Sequence, residues 1–364
     1  MKICVTAILL FISEFLLADK LLAEPIKIPP LSSKTFGVKY ENLEIKSKER
    51  LLVLAPHPDD ETLGAAGLIQ RVLKKNGTVR TVVLTAGDGF PESATIESGK
   101  AKPEAGDYLK LGAERLKEAQ AAAQLIGHGK VQVDFFGFPD AGLYSTLVPH
   151  WEPTNPFRSP MTEKNHVPYD AALLFKAPQS GKIVFDQLVK ILNEMNPTII
   201  TFPDIMETHA DHSSTGIYAQ LAINEWLNNN SKTQSKLKTK ESRPLLLAYL
   251  IHWGPDWPAE GFASNPIDLK GQAFYLPKDL PLRAQGRTCL KLEMNETGLK
   301  DLAIDQYKTQ CRAMGTFLKA FIRKTECFSI IEPNSNLSLK EEIQKWRTNQ
   351  TPFNDKDAFS RQHL

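Results

Sequence analysis

Histidine and carboxylate side chains cluster in two short segments of the sequence. The first segment runs from His57 to Glu61 and reads His-Pro-Asp-Asp-Glu, and the second runs from His209 to His212 and reads His-Ala-Asp-His. A histidine nitrogen and a carboxylate oxygen three residues apart on a tight turn can bind one divalent ion, as His57 and Asp60 would. The intervening Asp59 can then face a water molecule at that ion. These residues predict a metal centre for hydrolysis.

Zinc suits a mixed set of nitrogen and oxygen ligands, and a water molecule bound to zinc loses a proton near neutral pH. If His212 joins His57 and Asp60, three protein ligands leave one position open, which is typical of a catalytic zinc site. Asp59 then remains as the general base, and His209 is free to donate a hydrogen bond to the substrate carbonyl. The cysteines show no CxxC spacing, so a cysteine zinc site is not predicted. We therefore expect one zinc ion per chain.

The elements around these segments are predicted to place both of them at one edge of a sheet. An apolar run from Arg50 to Pro56 fits a strand buried on both faces, and helical spacing follows from Thr62 to Lys75. Another strand, Thr198 to Pro203, precedes the second segment. The alternation of strands and helices predicts an α/β fold with a Rossmann-like, doubly wound, mostly parallel sheet and helices on both faces. Neighbouring parallel strands end at the same edge, so the two segments can meet there.

Further elements and connections complete this prediction. The remaining predicted strands are Val79–Thr85, Val131–Phe136 and Leu245–Ile251, and the remaining predicted helices are Leu111–Ile126, Lys182–Met195, His212–Leu227 and Gly298–Phe321. Between them, Gly137 to Ser180 is long and rich in proline and aromatic residues, so we expect it to form a substrate wall that sets specificity, with Trp253 to Gly286 as a second candidate. The polar stretch from Asn228 to Arg243 is predicted to be a surface loop.

The two segments resemble the motifs of the LmbE-like, PIG-L-like N-deacetylases, which include enzymes acting on N-acetylglucosaminyl lipids and thiols. The family motif His-Pro-Asp-Asp-Glu is matched from His57 to Glu61 without a change, and the later motif His-x-Asp-His is matched from His209 to His212. The resemblance implies three zinc ligands (His57, Asp60, His212), a base (Asp59) and an oxyanion-stabilising histidine (His209) supported by Asp211. It covers about Arg50 to Ile251 and is faint beyond, at Tyr307 and Gln310.

Three further residues are candidates for substrate binding. Arg115 resembles the arginine of the family's Arg-x-x-Glu helix, and Asp140 lies in a segment similar to a loop that lines the sugar pocket. His252 ends a predicted strand and is a candidate for the same rim. Each has an ordinary alternative role, since an arginine on a helix often forms a surface salt bridge and Pro-Asp-Ala-Gly is also a good turn.

The expected reaction is removal of the acetyl group from an N-acetylated amino sugar, in an N-acetylglucosamine-containing glycan, glycolipid or small conjugate. Two alternatives stay open: an amidase acting on a non-acetyl amino-sugar conjugate, and a non-catalytic metal-dependent carbohydrate-binding protein. Asp59 and His209 argue against the second alternative, because binding alone needs neither a base nor an oxyanion donor.

Composition limits the partners. The 364 residues include 44 basic and 42 acidic side chains, and the formal charge of +2 gives no reason to expect a nucleic-acid partner. No stable protein partner can be inferred. The hydrophobic fraction of 42% and the charged fraction of 24% are those of a globular domain.

The chain ends are predicted to lie outside the deacetylase domain, which we expect at residues 49–325. Residues 1–23 carry a short signal-peptide pattern, with Lys2 before an apolar run and a small residue at Ala23. We expect a tether at 24–48 and a C-terminal extension at 326–364. If the N-terminal segment is a signal peptide, the protein is exported to the periplasm, the exterior or the envelope; otherwise it is cytoplasmic.

The cysteines also bear on whether the protein is exported. Cys4 would leave with the signal peptide, and Cys289, Cys311 and Cys327 would remain. In an exported protein these three can form one disulfide and one free thiol, because disulfides persist in oxidising compartments.

Overall fold

One eight-stranded sheet organises the part of the chain that the computed structural model describes, which is residues 40–233, 243–254, 257–258, 269–282 and 285–333. Its strands are β1 (Tyr40–Asn42), β2 (Arg50–Ala55), β3 (Thr78–Thr85), β4 (Val131–Phe138), β5 (Ile199–Pro203), β6 (Leu245–Tyr249), β7 (Arg287–Lys291) and β8 (Thr325–Ile331). Their order is β1-β7-β8-β6-β5-β2-β3-β4, and all neighbours pair in parallel except β8, which is antiparallel to β6 and β7. The predicted α/β fold with a mostly parallel sheet is confirmed.

The centre of the sheet lies at β2 and β5, which are apolar sequences buried along almost their whole length. The chain moves outward from β2 to β3 and β4, and then returns to β5 on the other side of β2. The strand order therefore reverses between β2 and β5. In open α/β sheets, ligands bind beyond the carboxyl ends of the strands at such a switch point.

Eight helices accompany the sheet within the described residues. They are α1 (Asp60–Lys74), α2 (Pro91–Ser98), α3 (Ala105–Gly127), α4 (Leu143–Leu147), α5 (Gly181–Met195), α6 (Ala210–Thr233), α7 (Met294–Ile304) and α8 (Lys308–Lys319). Helix α1 packs against α3 and α7, whereas α6 packs against α4 and α5. Right-handed crossovers that run in opposite directions from β2 place these two groups on opposite faces of the sheet.

Several helix boundaries differ from the sequence-based prediction. Helix α3 begins at Ala105, six residues earlier than expected, because Glu104 and Asp107 form a capping box. Helix α6 continues to Thr233, so the predicted loop from Asn228 begins as helix. The single helix predicted over Gly298–Phe321 is two helices, α7 and α8, separated by residues 305–307.

The sheet also extends beyond the predicted domain limits of 49 and 325. Residues 40–48 are not a tether, because β1 pairs with β7 and the side chains of Leu43 and Ile45 are buried in the core. Strand β8 crosses the predicted boundary and ends at Ile331. The predicted signal peptide, residues 24–39 and residues 334–364 lie outside the described part of the chain. Among the described helices, none combines the length and apolarity that a membrane span requires.

A disulfide joins the adjacent strands β7 and β8. It links Cys289 to Cys327, which face each other in the strand register, and Cys311 is a half-buried free thiol. The three cysteines thus adopt the combination of one disulfide and one free thiol that the sequence allowed.

Candidate active site

Three atoms form a compact triangle beyond the ends of β2 and β5. His57 Nδ1, Asp60 Oδ2 and His212 Nε2 lie 3.2 Å apart in each of the three pairs. Tetrahedral ligands with zinc bond lengths of about 2.0–2.1 Å lie about 3.3–3.4 Å from one another, so the triangle has the size that a zinc ion requires. All three side chains are buried. The residues present therefore fit the metal that the motifs predict.

The turn that carries this triangle is held in a strained conformation. Asp59, the N-cap of α1, has φ 140° and ψ −32°, in a region that costs a residue with a side chain about 1–3 kcal/mol. The backbone N–H of Asp59 donates to Glu61 Oε2 at 3.1 Å, and the Asp59 carbonyl accepts from Thr62 and Leu63 at 2.9 Å each. Such strain persists only where surrounding contacts enforce it, and it commonly marks functional sites.

The second ring nitrogen of His57 faces two carboxylates. His57 Nε2 lies 3.1 Å from Asp140 Oδ1 and 3.3 Å from Asp211 Oδ2. A proton on Nε2 shared with these oxygens leaves Nδ1 free for a metal ion, as in carboxylate–histidine–zinc arrangements. Burial opposes a charge on His57, but Asp140 and the other carboxylates raise the pKa of His57 well above 6.5. Asp140, predicted to bind substrate, therefore also orients a candidate metal ligand.

Glu207 lies beside His212 as Asp140 lies beside His57, and the sequence analysis did not identify it. Its Oε2 lies 3.6 Å from His212 Nδ1, and its carboxylate accepts the backbone N–H groups of Ile251 and His252. Burial opposes a charge on His212, whereas Asp60 and Glu207 raise its pKa to about 9. Glu207 thus connects the loop after β5 with the loop after β6. A single glutamate in a loop has no spacing pattern that would reveal this role.

Arg115 lies against the turn rather than on the protein surface. Its Nη2 contacts Asp59 Oδ2 at 3.2 Å and donates to the Pro58 carbonyl at 3.0 Å, while Nη1 donates to the Gly87 carbonyl at 2.7 Å. Burial raises the pKa of Asp59 from 3.8 to about 8, and the Arg115 guanidinium acts in the opposite direction. Arg115 lines the cavity, as expected of a substrate-binding residue, but its hydrogen bonds position Asp59.

His209 is arranged as a neutral hydrogen-bond donor. The backbone N–H of Asp211 donates to His209 Nδ1 at 3.3 Å, which leaves the proton on Nε2. Burial, followed by His57 and His212, lowers the pKa of His209 well below 6.5. One nitrogen from each of these three histidines lies within 4.8 Å of the others, so His209 can reach a substrate atom at the triangle.

The predicted support of His209 by Asp211 takes a different form in the structure. It comes from the Asp211 backbone, because the Asp211 carboxylate accepts the N–H groups of Ala141 and Leu143 at 2.8 and 2.9 Å. Those bonds tie the loop after β4 to the start of α6. Because Asp211 Oδ2 also lies 3.3 Å from His57 Nε2, the Asp211 side chain holds the loop after β4 and the start of α6 beside His57.

His252 lies on the rim, as the sequence suggested. Its ring centroid is 4.7 Å from that of His212 and 5.3 Å from that of His209, and it stacks on Phe317 at 5.5 Å. Burial, followed by the neighbouring His212, lowers the pKa of His252 to about 3. The ring is therefore uncharged near neutral pH.

These side chains surround a cavity of about 210 Å³. Its described lining consists of His57, Asp59, Asp60, Leu63, Phe90, Arg115, Asp140, His209, Ile251, His252, Gln310, Met314, Phe317 and Leu318. Helix α8 contributes the last four, and of these the sequence indicated only Gln310, through the faint family resemblance. Of the segment Gly137–Ser180, only Asp140 appears in this described lining.

A larger groove of about 1190 Å³ lies elsewhere, between residues 42–45 and the start of α7. Two of its basic side chains are paired with acids, Arg71 with Glu296 and Lys270 with Asp301. The smaller cavity is the stronger candidate for chemistry, because it gathers convergent polar groups with shifted pKa values at the switch point.

The fold and the cavity together define a site suited to metal-assisted hydrolysis. Residues 52–223 match the model of the PIG-L family, described as GlcNAc-PI de-N-acetylase. This stretch therefore carries a PIG-L family domain, and the match indicates an amide-hydrolysing N-deacetylase. No curated protein sequence matches the chain significantly.

Solved structures with similar folds share little sequence with this chain. N,N'-diacetylchitobiose deacetylase from Pyrococcus horikoshii is 18% identical with a TM-score of 0.45, covering 80% of this chain and 88% of that one. The A40926 pseudoaglycone deacetylase Dbv21 is 16% identical with a TM-score of 0.43, covering 83% and 93%. GalB, the 4-carboxy-2-hydroxymuconate hydratase from Pseudomonas putida, is 14% identical with a TM-score of 0.44, covering 84% and 92%. Likenesses of this extent do not define an activity for this chain.

Proposed function

We propose that the protein is a zinc-dependent N-deacetylase that removes the acetyl group from an N-acetylated amino sugar. The observation that carries the proposal is the 3.2 Å triangle of His57, Asp60 and His212, which lies beside a buried acid and a neutral imidazole. The family match supports amide hydrolysis, and its description as GlcNAc-PI de-N-acetylase favours an N-acetylglucosamine-containing glycan, glycolipid or small conjugate.

In this proposal His57, Asp60 and His212 hold the zinc ion. When bound, zinc supplies a Lewis acid for the acetyl carbonyl and lowers the pKa of a water molecule. Asp140 and Glu207 orient the two histidines from their outer sides. The buried surroundings exclude bulk water, so these charges act in a medium of low dielectric.

Asp59 and His209 carry the proton transfer and the charge stabilisation. Asp59 accepts the proton of the attacking water and returns it to the leaving amine, a task suited to a carboxyl group whose pKa lies near neutrality. His209 donates its Nε2–H to the oxygen that becomes negative in the transition state. Arg115 keeps the Asp59 carboxylate in place through the 3.2 Å contact.

The test is to measure acetate release from a panel of N-acetylated amino sugars by the zinc-loaded protein. Release from at least one of them, abolished in Asp59→Asn, is the expected result. Release of another acid from a conjugate, without acetate from any sugar, would favour the amidase alternative. Saturable sugar binding without any product would favour the carbohydrate-binding alternative.

We also propose that the protein is exported. The Cys289–Cys327 disulfide supports this location, because disulfides form and persist chiefly in oxidising compartments. The signal-peptide pattern of residues 1–23 points the same way. Fractionation of cells with an antibody to the protein tests it, and recovery of the reduced protein in the cytosol would contradict it.

A further inference from the structure

A buried carboxyl group lies behind the cavity and takes no part in the proposed mechanism. It belongs to Asp88, which follows β3 and is 1% exposed. Its Oδ2 accepts a hydrogen bond from the Tyr169 hydroxyl at 2.5 Å, and its Oδ1 accepts the backbone N–H of Asp140 at 2.9 Å. Neither Asp88 nor Tyr169 belongs to the described lining of the cavity. Both oxygens of Asp88 are thus bonded to the protein, so Asp88 acts on the site through its partners.

The backbone on either side of the Asp140 side chain is held by a buried carboxylate. The N–H of Asp140 donates to Asp88, and the next N–H, that of Ala141, donates to Asp211 Oδ2 at 2.8 Å. Ala141 has φ 63°, in the left-handed region that is strained for a residue with a side chain. Such a conformation persists only where surrounding contacts enforce it. The two hydrogen bonds therefore fix the turn from which the Asp140 side chain projects.

This turn brings the Asp140 carboxylate to a candidate metal ligand. Asp140 Oδ1 lies 3.1 Å from His57 Nε2. An oxygen of Asp211 lies within 4.8 Å of an oxygen of Asp140, and like charges repel. The charges around Asp140 thus oppose as well as favour its place beside His57. A fixed backbone keeps the carboxylate there.

A glycine on α3 makes room for the pair of Asp88 and Tyr169. A Cβ at Gly112 would overlap the Tyr169 hydroxyl oxygen and lie 2.8 Å from Asp88 Cβ. Glycine inside a helix is less favourable than alanine, so its place here costs helix stability. The hydrogen bond between Tyr169 and Asp88 therefore depends on the close approach that Gly112 permits.

We propose that Asp88 and Tyr169 are positioning residues for the metal centre. They hold the Asp140 turn so that its carboxylate stays on His57 Nε2 and His57 Nδ1 faces the metal ion. The inference rests on the proposed function, because the zinc ion belongs to it. Tyr169 lies in the segment Gly137–Ser180, so part of this segment supports metal binding from behind the cavity.

The experiment measures the dissociation constant of zinc for the full chain by competition with a chromogenic chelator. Asp88→Ala should weaken zinc binding by about tenfold, the low end of the range for residues that support a metal ligand from outside. Asp88→Asn should retain most of the affinity, because its amide oxygen can accept the Asp140 N–H and its amide nitrogen can donate to the Tyr169 oxygen. Tyr169→Phe, which leaves the bond to Asp140 in place, should cause a smaller loss than Asp88→Ala.

The same substitutions in an Asp140→Ala background test the route of the effect. If Asp88 acts through the Asp140 carboxylate, Asp88→Ala should not change zinc affinity further once that carboxylate is absent. An equal loss in both backgrounds would mean that Asp88 acts by another route, and the inference would be wrong. If Asp88→Ala does not fold, Tyr169→Phe in the two backgrounds makes the same comparison.

A matched pair of glycine variants on α3 provides an independent test. Gly112→Ala should weaken zinc binding by displacing Tyr169, whereas Gly106→Ala should not, because a Cβ there meets open space. Ile126→Ala truncates a buried side chain at the far end of α3, and should lower stability without changing zinc affinity.

Two results would count against the inference in distinguishable ways. Wild-type zinc affinity in Asp88→Ala, Tyr169→Phe and Gly112→Ala overturns the inference alone. A wild-type chain that binds no zinc overturns the proposed function as well.

Discussion

Tyr307 donates a hydrogen bond from its hydroxyl to Glu61 Oε1 at 2.7 Å, across 246 residues of sequence. The other oxygen of Glu61 accepts the backbone N–H of Asp59 at 3.1 Å, so Tyr307 supports the strained turn through one intervening residue. The Tyr307 hydroxyl also lies 2.6 Å from Thr62 Oγ1. The segment that connects α7 to α8 is therefore part of the framework that positions the candidate base.

Replacing Tyr307 with phenylalanine should lower both stability and turnover. The change leaves Glu61 buried with one partner fewer, which typically costs about 1–3 kcal/mol of unfolding free energy. We expect kcat to fall while KM and zinc content change little, because Tyr307 touches neither the triangle nor the cavity. Denaturant unfolding and steady-state kinetics measure this. Tyr275→Phe, at an exposed position, is the control. If Tyr307→Phe matched this control in stability and kcat, the Tyr307–Glu61 hydrogen bond would not support the turn.

Replacing His212 with alanine should abolish tight zinc binding. Only two of the three atoms of the triangle would remain, and zinc sites in proteins use at least three protein ligands. Metal analysis after gel filtration should give close to one zinc per chain for the wild type and for His166→Ala, an exposed control, and much less for His212→Ala. Undiminished zinc in His212→Ala would place the metal elsewhere.

Asp59→Asn should retain zinc and fold but lose turnover by about 100-fold or more, the usual size of a general-base contribution. The amide cannot accept the water proton, although it can still lie beside Arg115. Single-turnover kinetics with acetate detection measure the loss. Asp170→Asn, at an exposed position, should behave as the wild type. Near-normal rates in Asp59→Asn would mean that another group activates the water.

Phe157→Ala should lower stability without altering the ranking of substrates. Phe157 is 2% exposed within the segment Gly137–Ser180, and truncation of a buried phenylalanine costs about 3–5 kcal/mol. Thermal unfolding and a panel of N-acetylated amino sugars together test this. A changed ranking at unchanged stability would support the sequence-based expectation that this segment sets specificity.

The convergence of the two motifs was predictable because it follows from topology. Residues that follow β2 and β5 must meet when those strands pair in parallel, and the two ligands on the first turn are three positions apart in the sequence. The alternating pattern of apolar strands and helices predicted the parallel pairing, and the spacing of the two ligands can be read from the sequence itself. The same argument placed His252 at the rim, because it follows β6, whereas Asp140 was expected there from the family resemblance.

The contributions of the C-terminal elements were not predictable in the same way. Strands β7 and β8 were not predicted, and the antiparallel β8 breaks the alternation on which the prediction relied. The apolar positions of α8 fit a core-facing helix as well as a cavity wall, because periodicity shows which residues share a face but not what that face contacts. Glu207 and Tyr307 act through contacts between distant parts of the chain, and a single sequence carries no record of such pairs.

The most direct test of the central claim is a zinc titration of the metal-free enzyme with acetate release as the readout. The protein is stripped with a chelator, and zinc is added in steps while the hydrolysis of an N-acetylated amino sugar is followed. We predict that activity rises in proportion to zinc and reaches its plateau at about one equivalent per chain, and that Asp59→Asn binds the same zinc without gaining activity. Acetate release that is unaffected by chelation, or that is equal in Asp59→Asn, would contradict the account.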